Sequence, residues 1–176
     1  MAIRKVAVMG HPILRQIAQP VPEKDITSEP IQTLIQDMVE TMVEYDGLGL
    51  AAPQVHVGLQ IVVMVWDFDE GVEPYLRVLI NPEIEVLTQE TSTFPEGCLS
   101  VPGLQGDVSR PNWIKVRALD QKGERVGFEA KGFAATVIQH ECDHLVGKLY
   151  LDRMTDLTRL AFAKEYGRYL KPLSEN

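Results

Sequence analysis

The sequence is poor in cysteine and has no long apolar run. Only two cysteines occur among its 176 residues, a number that suits a reducing cytosol, where an unpaired thiolate can serve as a ligand or a nucleophile. No apolar run approaches the roughly 18 residues of a membrane-spanning helix. The amino terminus also lacks the apolar core and small-residue cleavage site of a secretory signal. These absences together predict a cytoplasmic protein that does not enter a membrane.

Positive charge is also scarce. The chain has 17 Lys and Arg residues against 25 Asp and Glu residues, which gives a formal net charge of -8. A protein that binds nucleic acid or an anionic membrane needs a basic face, so this charge argues against both functions. The length and the 45% apolar content fit one folded unit with a single core. We therefore expect residues 1–176 to form a single domain.

One segment, residues 139–145, carries two histidines four positions apart, His140 and His144, with Glu141 beside the first. On a helix, residues at this spacing lie on one face. Both rings can then reach one metal ion, while Glu141 lies close enough to handle a proton of metal-bound water. A structural helix with two surface histidines is the alternative. The motif predicts metal-dependent hydrolysis without specifying which bond is broken.

A catalytic metal site of the zinc type needs three protein ligands and one open position. Cys142 lies about 200° around the helix from His140, whereas His144 lies only about 40° away. We therefore interpret Cys142 as a small buried core residue. Cys98 is the better candidate for the third ligand, because Gly97 before it allows a close approach of the backbone. An inert buried thiol is the alternative for Cys98.

The remaining pattern predicts helices and strands without regular alternation. Strands are predicted over residues 59–66, 75–81, 84–88, 113–119 and 125–130. Helices are predicted from residue 29, with Ser28 as N-cap, to a stop at Gly47, and over residues 133–145 and 155–170. This order indicates an α+β fold. We expect largely antiparallel sheets packed around a central metal-binding helix that carries the His-Glu-x-x-His motif, with a C-terminal helix.

Residues 47–54 form a stretch of small residues that contains two glycines, two alanines and a proline. Another backbone or a ligand can approach such a segment closely. It is not a phosphate loop, because its Gly-x-Gly lacks both the third glycine and a following Gly-Lys-Ser/Thr. Gln54 offers an amide donor at its end. Taken alone, the residue is best interpreted as a turn glutamine.

Three segments, residues 47–54, 96–100 and 139–145, resemble the three motifs of peptide deformylases and stand in that family's order. The resemblance extends from about residue 4 to residue 170. It implies an enzyme that removes the N-formyl group from the initiating methionine of new polypeptides. Leu99, in the second motif, resembles the bacterial form. The expected partners are N-formyl-Met peptides and nascent chains, with transient ribosome contact and no membrane or sequence-specific nucleic acid.

The resemblance also implies the roles of the central residues. Cys98, His140 and His144 would bind one divalent metal ion, usually Fe²⁺ in this family, although Zn²⁺, Ni²⁺ or Co²⁺ can occupy the site. Glu141 would accept the proton of the attacking water and later deliver it to the departing amine.

Together with the metal, two groups of the protein would stabilise the formyl oxygen as it gains negative charge. These are the Gln54 side-chain amide and the Leu99 backbone N–H. Gly49 and Gly97 would leave room for the peptide to bind as an added strand. The resemblance also suggests that Glu96 and Arg110 pair in support of the metal ligands.

An apolar pocket for the methionine side chain is expected beside the metal. Phe133 and Val137 precede His140 by seven and three residues, so they lie on the same stripe of the helix. Leu48 and Phe94 would contribute from the other two motifs. Ordinary core packing is the alternative for each of these residues.

Other classes of protein remain open at this point. A metallopeptidase of another type shares the His-Glu-x-x-His motif but takes its third ligand from a downstream His or Glu. A cysteine hydrolase would use Cys98 as its nucleophile. A purely structural metal site would require a fourth protein ligand.

Overall fold

A computed structural model describes residues 2–66, 68, 71 and 73–170. Within these residues there are three α-helices, α1 (Glu29–Glu44), α2 (Gly132–Leu145) and α3 (Ala163–Tyr169). The strands of the same residues are β1 (Gly49–Ala51), β2 (Ile61–Trp66), β3 (Tyr75–Val86), β4 (Thr91–Cys98), β5 (Val101–Pro111), β6 (Trp113–Leu119), β7 (Arg125–Lys131) and β8 (Leu160–Phe162). No helix in this described part is long and apolar enough to span a membrane.

The strands form two antiparallel sheets. The larger has the order β1-β2-β3-β6-β7 and the smaller the order β4-β5-β8, with antiparallel pairing throughout. Helix α2 contacts β1, β2, β6 and β7 of the larger sheet and β4 and β5 of the smaller one. The predicted α+β fold with largely antiparallel sheets is confirmed.

Helix α1 begins where the sequence predicts. Ser28 is its N-cap and has an extended backbone. Pro30 is tolerated in the first turn, because the backbone N–H groups of that turn have no partner within the helix. The Ser28 hydroxyl donates to the Asp25 carbonyl rather than to the helix. Apolar residues at helical spacing, including Met38 and Met42, are fully buried against the larger sheet.

Helix α2 is held close to the larger sheet by small residues. Ala134 and Ala135 pack beside Ile138 in the cluster formed with β2 and β6, and the short alanine side chains let the helix backbone approach the strands. The helix ends at Leu145, whose carbonyl accepts the backbone N–H of Ala18 at 2.9 Å. This packing fixes which face of α2 is turned toward the smaller sheet.

One predicted interruption is absent. Residues 75–81 and 84–88 were expected as separate strands around Asn81, but β3 is continuous with a register shift between Ile80 and Glu83. Asn81 has a positive φ of 52°. Its side chain accepts the Val21 N–H and donates to the Val21 carbonyl, each at 2.8 Å. The irregularity is thus accommodated as a bulge, and the prediction of two strands is wrong.

The carboxy-terminal region also differs from the prediction. A single helix over residues 155–170 was expected, but a short 3-10 turn (Leu157–Arg159) and strand β8 precede α3. The Asp156 carboxylate accepts the backbone N–H of Thr158 at 2.9 Å, which closes a turn instead of starting a long helix. The chain then pairs with β5. The predicted C-terminal helix is present in a shorter form.

Candidate active site

Three potential metal ligands meet between the two sheets. Cys98 lies at the end of β4, next to a register shift that follows Gly97, while His140 and His144 project from one face of α2. One ligand atom from each of the three residues lies within 4.8 Å of the other two. The Cys98 Sγ is 3.3 Å from His144 Nε2. The β4–β5 pairing changes register here, from Gly97 opposite Gln105 to Cys98 opposite Val101, and this end of the pair places the sulfur beside the helix.

A chain of ionic contacts, buried except at Arg153, supports His140. Its Nδ1 lies 2.7 Å from Glu96 Oε2, which leaves Nε2 for the metal group. Arg110 holds the same carboxylate with Nε and Nη2, at 2.6 and 3.0 Å, and donates from Nη1 to Asp143 at 2.8 Å. Arg153 also binds Asp143, at 2.5 and 3.0 Å. Such partners fix the ring orientation of metal-binding histidines.

The buried acidic and basic groups of this chain stay ionised because each is paired with a group of opposite charge. Burial alone would raise the pKa of Glu96, but hydrogen bonds from His140 and Arg110 hold this pKa below its ordinary value. Glu96 is therefore ionised and can accept the His140 N–H. The pairing of Glu96 with Arg110 suggested by the family resemblance is present.

The donor set fits a divalent metal ion. One thiolate and two imidazoles suit Zn²⁺, Fe²⁺ and related ions. Burial lowers the pKa of His144 to about 3. Burial also disfavours the charged form of His140, but hydrogen bonds with Cys98 and Glu96 raise the pKa of that ring well above its ordinary value. Each ring must be neutral to bind a metal ion, so His140 would release a proton on binding. Within the described residues the group comprises three side chains, whereas a closed structural site has four.

Glu141 lies beside this group and is almost completely buried. Burial raises the pKa of its carboxyl to about 7, and the nearby charge of Glu96 adds to the effect. Glu141 Oε2 has no hydrogen-bond partner among the residues that the structure describes. The carboxyl lies against Gly49 of β1, where an added Cβ would be only 2.5 Å from Glu141 Oε1. Glycine at this position makes the close approach possible.

Gln54 points its amide nitrogen toward the metal group. The Ala51 N–H donates to Gln54 Oε1 at 2.8 Å, which identifies the oxygen end of the amide. Gln54 Nε2 then lies 3.6 Å from Cys98 Sγ and 3.2 Å from Ser100 Oγ. The interpretation of Gln54 as a plain turn residue accounts for its bond to the backbone, but not for the position of its nitrogen.

A cavity of about 820 Å³ opens over the group. The predicted site residues that line it are Cys98, His140, Glu141, Gln54, Leu99, Leu48, Gly49, Gly97, Phe133 and Val137. Phe94 is not in its wall. The Phe94 ring instead packs edge-on against Phe133, with 5.4 Å between ring centroids. Phe94 was expected to line the pocket directly, but it contacts a residue that lines it.

Cys142 faces away from the metal group, as the helical angle predicts. It packs against the cluster between α2 and the larger sheet and is not part of the ligand group. Burial raises the pKa of its thiol, which keeps the sulfur protonated and a poor ligand.

Sequence reasoning missed four residues that touch the site. Asp143 and Arg153 complete the ionic chain, and Ser100 contacts Gln54. The Tyr150 ring stacks on His140, with 6.2 Å between centroids and 19° between planes. Ser100 lies in the second motif and Asp143 in the third, and this position was the only signal in the sequence that either residue belongs to the site. Nothing in the sequence distinguishes Tyr150 or Arg153 from ordinary residues.

Comparison with known proteins agrees with this geometry. The family model described as Polypeptide deformylase matches residues 3–160. A peptide deformylase of Stutzerimonas stutzeri is 46% identical over 159 residues, which cover 90% of this chain and 91% of the relative.

Solved structures of relatives share the fold. A class I type b peptide deformylase from Acinetobacter baumannii superposes with a TM-score of 0.82 at 38% identity, over 88% of this chain and all of that chain. Its complex with Met-Ala-Ser gives 0.81 at 36% identity, over 87% and 99%. A metallopeptidase of another type, with its third ligand downstream, is thereby disfavoured. The chain belongs to the peptide deformylase family, whose members are metal-dependent hydrolases.

Proposed function

We propose that this chain removes the formyl group from the N-terminal formylmethionine of newly made polypeptides, with the residue roles given below. The observation that carries the proposal is the convergence of Cys98, His140 and His144 within 4.8 Å, at a cavity that Glu141 and Gln54 also line. The relative from Acinetobacter binds Met-Ala-Ser, which is the peptide that formyl-Met-Ala-Ser leaves after deformylation.

Cys98, His140 and His144 would hold one divalent metal ion. When bound, the ion polarises a carbonyl group and lowers the pKa of water toward about 7. The protein supplies the geometry, because Glu96 holds the His140 ring through Nδ1 and the β4 strand end fixes the sulfur.

Glu141 would act as general base and then as general acid. Its carboxylate takes a proton from the attacking water and later delivers that proton to the amine that leaves. A pKa of about 7 suits both transfers, since the group then gains and loses a proton readily near neutral pH. The unpartnered Oε2 leaves one oxygen free for this exchange.

Gln54 and Leu99 would stabilise the formyl oxygen. This oxygen gains negative charge as water attacks the formyl carbon, and fixed donors aimed at it lower the barrier. Gln54 Nε2 is buried beside the Cys98 sulfur, and the Leu99 backbone N–H follows directly after Cys98 in the chain.

The substrate would bind between the two sheets. β1 and β4 are both edge strands of their sheets, and each presents a glycine to the cavity, Gly49 and Gly97. An extended peptide can add to such edges through main-chain hydrogen bonds. Leu48, Phe133 and Val137 would then surround the methionine side chain, with Phe94 in contact with Phe133.

The native metal is proposed to be Fe²⁺, with Zn²⁺, Ni²⁺ or Co²⁺ as possible occupants. This choice is supported by the family resemblance, because one thiolate and two imidazoles do not discriminate among these ions. Protein purified without oxygen should contain iron and lose activity in air, as Fe²⁺ and the Cys98 thiolate oxidise. Full activity after aerobic purification would indicate zinc or nickel instead.

We further propose that residues 1–176 form one catalytic domain that works in the cytoplasm on nascent chains, with transient contact to the ribosome. The absence of a membrane-spanning helix among the described residues and the family match over residues 3–160 support this setting. Ribosome contact would be tested by cosedimentation of the protein with translating ribosomes.

Activity is tested by comparing two tripeptides after metal analysis. We expect hydrolysis of formyl-Met-Ala-Ser, no hydrolysis of acetyl-Met-Ala-Ser, and inhibition by a chelator that added metal reverses. Equal hydrolysis of both peptides would contradict the proposal. Activity that resists the chelator would favour Cys98 as a nucleophile.

A further inference from the structure

Ser100 is a fully buried residue next to the proposed oxyanion donors. Its Oγ accepts a hydrogen bond from Gln54 Nε2 at 3.2 Å. Its backbone carbonyl accepts the N–H of Met9 at 2.7 Å, and the Gln54 carbonyl likewise accepts the N–H of Ala7 at 2.7 Å. The amino-terminal segment therefore ties the Gln54 turn to the end of the second motif and holds Ser100 against the amide.

The two hydrogens of the Gln54 amide nitrogen have different partners. The first is directed to the Ser100 oxygen, whereas the second is directed to the Cys98 sulfur at 3.6 Å, a long contact with a weak acceptor. The amide oxygen is already engaged by the Ala51 N–H. While the bonds to Ala51 and Ser100 are kept, the amide cannot rotate, so only the second hydrogen, on the side of the Cys98 sulfur, is available to an oxygen of a bound substrate.

We infer that Ser100 is a positioning residue for Gln54, whose amide it orients so that the second N–H points at the formyl oxygen. The last torsion of a glutamine side chain has a broad, weakly restricted profile. The bond from Ala51 fixes one end of the amide, and the Ser100 hydroxyl removes the remaining rotation. This inference rests on the proposed function, because it assigns a task to Gln54 in the same reaction.

Two substitutions at this position separate the hydroxyl from packing. In Ser100→Ala we expect kcat for formyl-Met-Ala-Ser to fall about tenfold, the scale of one hydrogen bond between neutral groups. KM and bound metal should stay unchanged, because the lost interaction acts in the transition state. Ser100→Thr keeps the acceptor and should retain most of the activity. Equal losses in the two variants would overturn the inference.

Thr41 provides a matched control. Its hydroxyl is also completely buried, but it lies on α1, where it accepts the Arg4 N–H at 2.8 Å and donates to the Asp37 carbonyl at 2.6 Å. Thr41→Ala should lower thermal stability and leave kcat at the wild-type value. A comparable loss of kcat in Thr41→Ala would mean that removing a buried hydroxyl not bonded to Gln54 has the same effect, and would overturn the inference.

A double-mutant cycle gives the decisive readout. In a Gln54→Leu background, adding Ser100→Ala should not change kcat further, because the amide through which Ser100 acts is gone. The same fractional loss in both backgrounds, or loss of metal from Ser100→Ala, would overturn the inference. Wild-type protein without deformylase activity would instead refute the proposed function, so the two failures are distinguishable.

Discussion

Replacing Gly49 with alanine tests whether the position of the Glu141 carboxylate matters for the reaction. A Cβ at residue 49 would lie 2.5 Å from Glu141 Oε1 and 2.8 Å from its Cδ and Cγ, whereas ordinary van der Waals contact begins at 3.4 Å. The carboxylate or β1 must therefore move by about 0.9 Å. The carboxylate will move more readily, because it is the end of a side chain and β1 is paired with β2.

The expected effect is on rate rather than on folding. A misplacement of about 1 Å in a reacting group can cost on the order of 10²-fold in rate. We therefore expect kcat for formyl-Met-Ala-Ser to fall on the order of 10²-fold in Gly49→Ala. Bound metal should be unchanged, because the crowded atoms belong to Glu141 and not to a metal ligand.

The assay combines steady-state kinetics, metal analysis and thermal unfolding. Gly167→Ala is the matched control, since a Cβ there meets nothing within 4 Å and the position lies on α3, away from the cavity. It should leave kcat unchanged and stabilise the helix by up to about 1 kcal/mol. A Gly49→Ala enzyme with wild-type kcat would refute the argument that Glu141 needs its observed position.

Three further substitutions test separate parts of the site. Gln54→Leu should lower kcat on the order of 10²–10³-fold with metal still bound, and unchanged turnover would remove its role in stabilising the oxyanion. Val137→Asp should raise KM for formyl-Met peptides more than it reduces metal content, and the reverse result would reject the pocket. The Tyr150 hydroxyl is buried without a partner in the described region, so Tyr150→Phe should leave the free energy of unfolding in urea unchanged or slightly higher. A loss above about 1 kcal/mol would show that the hydroxyl has a partner.

The metal group was predictable because most of its geometry is local. The spacing of His140 and His144 fixes their common face on any helix, and the same angles exclude Cys142. Cys98 could be nominated from the sequence only against the alternative of an inert thiol. Its distance to the helix depends on the irregular end of the β4–β5 pair, and a register shift of that kind leaves no periodic signal in the sequence.

The parts that sequence reasoning missed depend on tertiary pairing. β4 and β5 contain prolines and glycines that weaken any alternating pattern, yet they form a long antiparallel pair. Strand β8 lies in a stretch predicted as helix, and its conformation is set by β5. Tyr150 and Arg153 reach the site through the fold alone, so the support behind His140 could not be derived from spacing.

X-ray absorption spectroscopy of the zinc-loaded protein tests the central claim most directly. One sulfur, two imidazoles and an open position predict one Zn–S distance of about 2.3 Å and two Zn–N distances of about 2.0–2.1 Å, with one further light-atom ligand. The Cys98→Ala protein should lose the sulfur contribution entirely. A wild-type spectrum without sulfur, or with four ligands all from protein side chains, would contradict the account.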